Sequence, residues 1–458
     1  FLTMFFFTVK HEMNYNHKLS TWNSYKEYHE SFMLNNNGST AVHTCLCIYF
    51  TLQCALLCAI KEMKNNTNRY ISEYLIIILP MILAHTVFSD YINELNIAVF
   101  ILLMYEITKN YNKLDVHKTL SSSNVYLSNK IHSITCLRGL TYLITGLCIL
   151  AVDFKDFPRH LAKTENYGYS LMDTGVGLFV LISGLVHKDV NKNNYQTVLK
   201  SNTKFVLILL LLGIVRYFSV KQLDYQVHIS EYGVHWNFFF TLAICKLFST
   251  VLLIMTSHVL VLCIVVIISH ELLLYYGVQD WVFSDIKRIG FIDANREGIS
   301  SSLGYVALYL FAAYLKKELI KTSCTRYCVL RNLLSSSFIL LIISIAVNRI
   351  RPISRTLANT AYCTYISTVL AFGVIVIYFL EVIFQVNKKT SFVVPLILTA
   401  INNNGLLYFL VANLTTGIIN LSLQTFLVSS LTTFVILNCY MIFTIYLTIY
   451  MNDKGIKL

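Results

Sequence analysis

Apolar runs of about 18 to 20 residues recur along the whole chain, each long enough as a helix to cross ~30 Å of hydrocarbon. Spans are expected near residues 43–60, 71–88, 92–108, 134–151, 170–187, 204–219, 237–253, 256–276, 299–315, 331–347, 361–384, 404–424 and 427–450. The expected fold class is therefore all-α, a polytopic transmembrane helical bundle of about thirteen spans. The join between the seventh and eighth spans is the least defined, because residues 238–276 are almost unbroken in hydrophobicity. Only 13% of the 458 residues are charged and 56% are hydrophobic, where a soluble domain carries about 25% charged residues. Four prolines and 17 glycines leave no room for a Pro/Gly-rich linker. The expected division is an N-terminal segment 1–42, one membrane domain 43–450 and a short tail 451–458.

The formal charge of +12 carries no basic run interleaved with aromatics, so nucleic acid is not an expected partner. Lysine and arginine fall in loops and set topology instead. The odd-numbered loops are the more basic ones, which assigns them to the cytosol, the N-terminal segment to the opposite side and the C-terminal tail to the cytosol. Most of the 12 cysteines lie inside apolar runs, where cysteine behaves as a small hydrophobe. Cys324 and Cys328 share a basic loop without a second Cys or His pair, so no metal site is expected.

The non-cytosolic loops hold the chemical variety. Span four runs out through Ile149-Leu-Ala-Val-Asp153-Phe154 into Phe157-Pro-Arg159-His-Leu-Ala-Lys163-Thr-Glu165, and span five opens with Ser170-Leu-Met-Asp173-Thr-Gly175-Val-Gly177-Leu-Phe179-Val180. Four further polar-edged segments follow: Ser219–Ala243, Asp293–Leu310, Ser354–Tyr362 and Asn402–Ser422. In order and wording, these five blocks resemble the inositol acyltransferases of glycosylphosphatidylinositol (GPI) anchor synthesis, the GPI-anchored wall protein transfer family. One departure is Arg159-His160, where the family usually reads two arginines.

The resemblance implies a helical fold in the endoplasmic reticulum membrane. It also implies an O-acyltransferase that moves a long acyl chain, typically palmitoyl, from acyl-CoA to the inositol hydroxyl of glucosaminyl-phosphatidylinositol on the lumenal side. Acyl-CoA would be a co-substrate, with no bound cofactor and no metal, in contact with membrane lipid. Such a transfer needs a base for the hydroxyl and positive charge for the oxyanion. Asp153 at the membrane edge is the expected base, and Lys163 is expected to steady the oxyanion or orient Asp153; the resemblance points to the same two residues. A plain interfacial pairing of Asp153 with Lys163 is the bland alternative.

Around these two, Arg159, Arg216, Arg296 and Arg355 are expected to meet phosphate oxygens, which guanidinium groups bind with two parallel hydrogen bonds. Asn295, Asn359, Asn402 and Asn413 offer hydrogen bonds to a sugar headgroup or to exposed backbone, Asn413 more naturally between helices. Asp224, His228, Glu231 and Glu297 belong to the same substrate-facing set. His235, Trp236 and Asn237 sit at the mouth of span seven, with His235 the rival base and Trp236 an interfacial anchor. Asp173 falls within the fifth apolar run, facing the bundle interior, with Arg138 and Lys246 as candidate charge partners whose opposite depths weigh against the pairing. Gly175, Gly177 and Phe179 are expected to line an acyl groove. Two other functions share some of these features: a secondary transporter coupling ions through Asp173 and Lys246, and another lipid O-acyltransferase with a catalytic histidine.

Overall fold

The structure, a computed structural model, describes residues 36–61, 66–111, 120–123, 131–190, 194–222, 229–385 and 392–456. Their regular elements are helical. In chain order they begin with α1 (Ala41–Ile60), then α2 (Asn66–Glu73) and α3 (Leu79–Ala84), which run on through a wide turn at Tyr74–Ile78. Next come α4 (Ile92–Tyr111), α5 (His132–Ala151), α6 (Leu171–Leu185), α7 (Tyr195–Gln222), the short α8 (Ile229–Tyr232), α9 (Phe238–Met255) and α10 (Val259–Leu273). The short α11 (Gln279–Val282) and α12 (Gly290–Ala294) precede α13 (Arg296–Leu319), α14 (Arg326–Ile350) and α15 (Thr360–Gln385). The chain closes with α16 (Leu396–Asn403), α17 (Gly405–Ser422) and α18 (Ser430–Asp453).

Eleven of the described helices are long and apolar enough to cross a bilayer, so the expected count of thirteen is not reached on that measure. The other two expected spans are helical but different in build. One is the α2–α3 composite with its widened turn, and the other is α6, only 15 residues long, or about 22 Å at 1.5 Å per residue. The undefined join between spans seven and eight falls at Thr256–His258, between α9 and α10.

Burial sorts these helices into a centre and a rim. The spans at α5, α13 and α15 bury 72, 78 and 83% of their apolar windows. Those at α4, α7 and α10 bury only 17, 22 and 17%. Their exposed side chains, such as Phe100, Ile101, Leu211 and Val261, would be costly in water and suit a hydrocarbon solvent. Small residues let the centre close: a Cβ on Gly304 would lie 2.1 Å from the Ala358 oxygen, and one on Gly184 2.4 Å from the Tyr309 oxygen. Such close approach is how helices gain packing contact inside a membrane.

One device positions the loop between α5 and α6. The segment just before α1 lies against that loop as a strap. The Asn36 amide donates to the carbonyls of Ala162 (2.9 Å) and Lys163 (3.0 Å), and the Ser39 N–H donates to the Tyr169 oxygen at 2.6 Å. The crossing needs glycine at both Gly38 (φ +74°) and Gly168 (φ +134°), where a Cβ would sit 2.2 Å from the Tyr169 and Asn37 oxygens. A Cβ in the left-handed region costs about 1–2 kcal/mol before any clash is counted. Gly38→Ala should therefore lower stability by at least that amount, read as a lower unfolding midpoint in detergent. An unchanged midpoint would show that the strap is not held in this conformation.

Candidate functional site

Val152 ends α5, and Asp153 follows it in a turn, buried but outside the helix. Its carboxylate accepts a 2.7 Å hydrogen bond from the Asn420 amide near the end of α17. Burial pushes the Asp153 carboxyl up to about 6, while the Asn420 hydrogen bond and the Lys163 charge pull the other way. That combination is suited to a base near neutral pH: ionised, yet basic enough to take a proton.

Lys163 is within electrostatic reach of Asp153, but its ammonium is bonded elsewhere. It donates to Glu231 on α8 at 2.5 Å, with both side chains about a quarter exposed. The plain Asp153–Lys163 pairing, the bland alternative, is not what the structure has: a Lys163–Glu231 pair stands beside a separately held Asp153. Glu231 is bound to the site's own lysine.

Asp173 is also placed differently from expectation. It begins α6, where the Ser170 hydroxyl caps the helix by accepting the Asp173 N–H at 3.0 Å. The carboxylate accepts the Thr164 N–H (2.9 Å) and hydroxyl (2.6 Å) and pairs with Arg355 Nε at 2.8 Å. Arg138 and Lys246 are not its partners, because α5 and α9 carry them toward the opposite end of the bundle. Arg355 also donates to the Glu231 carbonyl oxygen at 3.2 Å and lies over the Tyr232 ring at 5.7 Å. Lys163, Thr164, Asp173, Arg355 and Glu231 therefore close into a ring drawn from three loops.

Several other expected residues spend their polar atoms on the scaffold. The Asn295 side-chain oxygen accepts the N–H groups of His235 (2.8 Å) and Trp236 (2.9 Å). Asn237 caps α9 and donates to the Gly213 oxygen at 2.9 Å. The Asn359 oxygen accepts from Ser354 and Tyr362, and its amide donates to Pro352. Glu297 is gripped by Arg288 at 2.5 and 3.0 Å, and Arg296 donates to the hydroxyl and carbonyl of Ser284. Arg216 reaches the Asn413 oxygen at 3.5 Å, joining α7 to α17, which is the helix-to-helix role suited to Asn413. Asn402 sits near the break between α16 and α17 with its side-chain oxygen buried and unbonded. Asp224 and His228 lie outside the described residues.

Arg159 differs from these engaged arginines. Its Nε is buried with no hydrogen-bond acceptor, and it stands one short turn before Lys163. His235 has its ring between Tyr217 and Phe291 and its Nδ1 buried without a partner. It lines a separate open apolar groove with Trp236, Phe240 and Ile214. The Trp236 indole donates to Thr241 at 2.9 Å and covers Gly298.

A second apolar groove, narrow and with only about 40 Å³ of free space, runs between α1, α5, α6 and α15. Tyr49, Leu52, Leu140, Ile144, Gly175 and Leu178 are among its walls. It reaches Leu171, the first residue of α6, two residues from Asp173. Gly175 lines it as expected, but Gly177 packs on Tyr362 and Ile366, and the Phe179 ring meets Tyr142, Phe238 and Phe409.

Two of the residues that hold this site were missed in the sequence. Asn420 lay inside the segment Asn402–Ser422, and its place near the helix end, beside a loop expected on the same side as Asp153, was the available signal. Asn36 precedes the Asn37-Gly38-Ser39-Thr40 run, and only the Gly38 turn hinted that this stretch was built to cross another.

The GWT1 family model matches residues 25–451 of the chain. GPI-anchored wall transfer protein 1 of Schizosaccharomyces pombe is 32% identical over 95% of this chain and 99% of its own length. The glucosaminyl-phosphatidylinositol-acyltransferase PIGW of Homo sapiens is 33% identical over 75% of each chain. That of Bos taurus is 31% identical over 95% of this chain and 99% of its own. With the match running across nearly all the helices and through every part of the Asp153 site, the chain belongs to the GWT1 family.

Proposed function

We propose that this protein is an acyltransferase of GPI-anchor synthesis, moving a long acyl chain from acyl-CoA to the inositol hydroxyl of glucosaminyl-phosphatidylinositol. The observation that carries the reading is Asp153, a buried carboxylate raised to about 6 at the end of a membrane helix. Beside it stand an ammonium at Lys163 and an apolar groove that reaches the same end of the bundle. The names of the relatives supply the acceptor.

In this mechanism Asp153 takes the proton of the inositol hydroxyl as the oxygen attacks the thioester carbonyl. The Lys163 ammonium faces the negative charge that builds on the carbonyl oxygen, where fixed positive charge in a dry site is most effective. Collapse of the tetrahedral carbon breaks the C–S bond, and the departing thiolate receives the proton held by Asp153. Glu231 keeps Lys163 from swinging away, and Arg159, with a free Nε, is placed to meet the phosphate of the lipid acceptor. The groove between α1, α5, α6 and α15 takes the acyl chain, each buried methylene contributing about 0.8 kcal/mol. A transporter using Asp173 as an ion-coupling group has less support, since Arg355 and Thr164 hold that carboxylate in place. The membrane is that of the endoplasmic reticulum, with Asp153 toward the lumen.

Removing the base by Asp153→Asn should cost about 10²–10⁴-fold in turnover, measured in microsomes with glucosaminyl-phosphatidylinositol and palmitoyl-CoA. Near-wild-type turnover in folded protein would end the assignment.

The base must be ionised to act, so activity should fall as pH drops through about 6. Asn420 stabilises the charged form, and Asn420→Leu should move this limb of the pH–rate profile to higher pH. A limb that stays in place would take Asn420 out of the base's environment.

At Gly175 a Cβ meets only Thr145 Oγ1, at 3.6 Å, so Gly175→Leu fits the fold while filling the groove. Preference should shift to shorter acyl donors, and an unaltered chain-length profile would place the acyl chain elsewhere.

Sidedness is open to single-cysteine labelling with an impermeant maleimide in sealed microsomes. A cysteine at Lys155 should label only after the vesicles are opened, and one at Lys188 before. The reverse pattern would invert the orientation.

A further inference from the structure

One helix of the rim holds a loop of the site from outside. The helix α10 is among the least buried, yet His270 near its C-terminal end is only 1% exposed. Its ring nitrogen Nε2 lies 2.9 Å from the Leu357 carbonyl oxygen. A carbonyl oxygen only accepts, so Nε2 carries the proton and donates it to this bond. The next residue, Glu271, pairs with Arg351 and accepts the Thr360 N–H (3.0 Å) and hydroxyl (2.6 Å). Two adjacent residues of α10 thus hold the loop between α14 and α15 at its start, within it and at its end. The Leu357 side chain, fully buried, packs with Leu274 and Val282 just beyond α10.

Inside this loop the backbone takes a form that residues with side chains rarely adopt. Ala358 has φ +47°, the one positive value at a non-glycine among the described residues. Its N–H donates to the Arg355 oxygen at 3.0 Å and closes a turn from Arg355 to Ala358. Such a conformation persists only where its surroundings over-determine it, and these positions gather at functional sites. The four residues before Leu357 bond in succession to the stretch between Lys163 and α6. The Ile353 oxygen accepts the Gly168 N–H (3.0 Å), and the Ser354 hydroxyl donates to the Asn166 oxygen (2.6 Å). Arg355 pairs with Asp173 (2.8 Å), and the Thr356 hydroxyl donates to the Glu165 oxygen (3.1 Å). Thr164, bonded to the same Asp173, directly follows Lys163, and Arg355 also holds the backbone of Glu231, the partner of Lys163. Lys163 is therefore flanked on two sides by groups that this loop fixes.

We propose that His270 is a positioning residue for acyl transfer: by fixing the Leu357 carbonyl it sets the turn that presents Arg355, and through Arg355 the place of Lys163 beside Asp153. The inference rests on the acyl-transfer reading above. A neutral imidazole suits this task, because it donates a hydrogen bond without bringing a charge into a membrane helix, where charge is costly. His270 meets no substrate; it acts through geometry alone. Geometry is enough, since a reacting group misplaced by about 1 Å can cost 10²-fold in rate.

The test compares His270→Leu, which loses the donor, with His270→Gln, whose amide still reaches the Leu357 carbonyl. Turnover is measured on the full chain in microsomes, with glucosaminyl-phosphatidylinositol and palmitoyl-CoA. His270→Leu should lower kcat about tenfold to a hundredfold with KM for both substrates little changed, and His270→Gln should recover most of the loss. The Lys163 charge holds the Asp153 carboxyl down, so a displaced Lys163 should move the acid limb of the pH–rate profile to higher pH in His270→Leu. Thr356→Val keeps the side chain's shape and cuts one bond of the same linkage, and it should move the limb the same way by less. In a Lys163→Met background His270→Leu should cost nothing further, because residues that act as a unit are non-additive. Amide hydrogen exchange at Thr164 and Gly168, followed on purified protein in detergent, should quicken in His270→Leu. An acid limb that stays in place in both His270→Leu and Thr356→Val would overturn the proposal. An equal loss with and without Lys163 would overturn it too, since His270 would then act on the fold at large. Quickened exchange in a protein whose wild type transfers no acyl chain would uphold the clamp while removing the enzymatic reading on which its purpose rests.

Discussion

Inside a bilayer a lone charge has no water to turn to, and the Asp173–Arg355 pair is where this chain meets that constraint. Both groups are almost fully buried. Taking either one away would strand the other, an effect of about 3–5 kcal/mol for buried pairs. The pair draws in everything around it: Thr164 bonds to Asp173, Arg355 bonds to the Glu231 backbone, and the Glu231 carboxylate holds Lys163. Lys163 thereby gains a fixed position beside Asp153 without being bonded to it. That separation matters chemically, because an ammonium in direct contact would hold the carboxylate at a low pKa and make it a poor base.

The two ends of the bundle treat charge in opposite ways. Around Asp153 nearly every ionic group has a partner, and the exceptions are few, Arg159 being one. At the far end, among the described residues, Arg138 Nε and His187 Nε2 are buried without a partner. Satisfied networks give rigidity, whereas unsatisfied buried donors mark positions where a structure is incomplete until something binds. Between the two ends runs a groove walled almost wholly by carbon, and α6 forms part of its wall. One short helix thus links the two regions.

Much of the fold could be read in the sequence, because the signal was local. Each span is a run of apolar residues, and the helices coincide with those runs even where α6 or the α2–α3 composite falls short of a full crossing. The placement of Asp153 just past the end of α5, with Lys163 in the loop that follows, was legible from the end of the apolar run. Partnerships were not legible. Arg138 and Lys246 were candidate partners for Asp173 with opposite depths in the membrane against them, and Arg355, from a loop far along the chain, is the partner instead. Asn420 and Asn36 were missed because an asparagine in a helix or a loop has many unremarkable uses, and only a long-range contact distinguishes these two. The asparagines singled out instead, Asn237, Asn295 and Asn359, lie in the right loops and shape them from within.

The strap at Asn36–Thr40 bears on how the protein is made. The ribosome delivers these residues before α1, yet their partners at Ala162, Lys163 and Tyr169 emerge only after α5 has been threaded into the bilayer. Until then Asn36 has nothing to bond, and the turn at Gly38 has nothing to cross. The site cannot take shape during early insertion; it is locked late, by a segment that has waited at the membrane surface while four spans were laid down beside it. A fusion or tag joined close to Asn36 would sit at that waiting point, and its effect would fall on the last step of assembly rather than on the insertion of any helix.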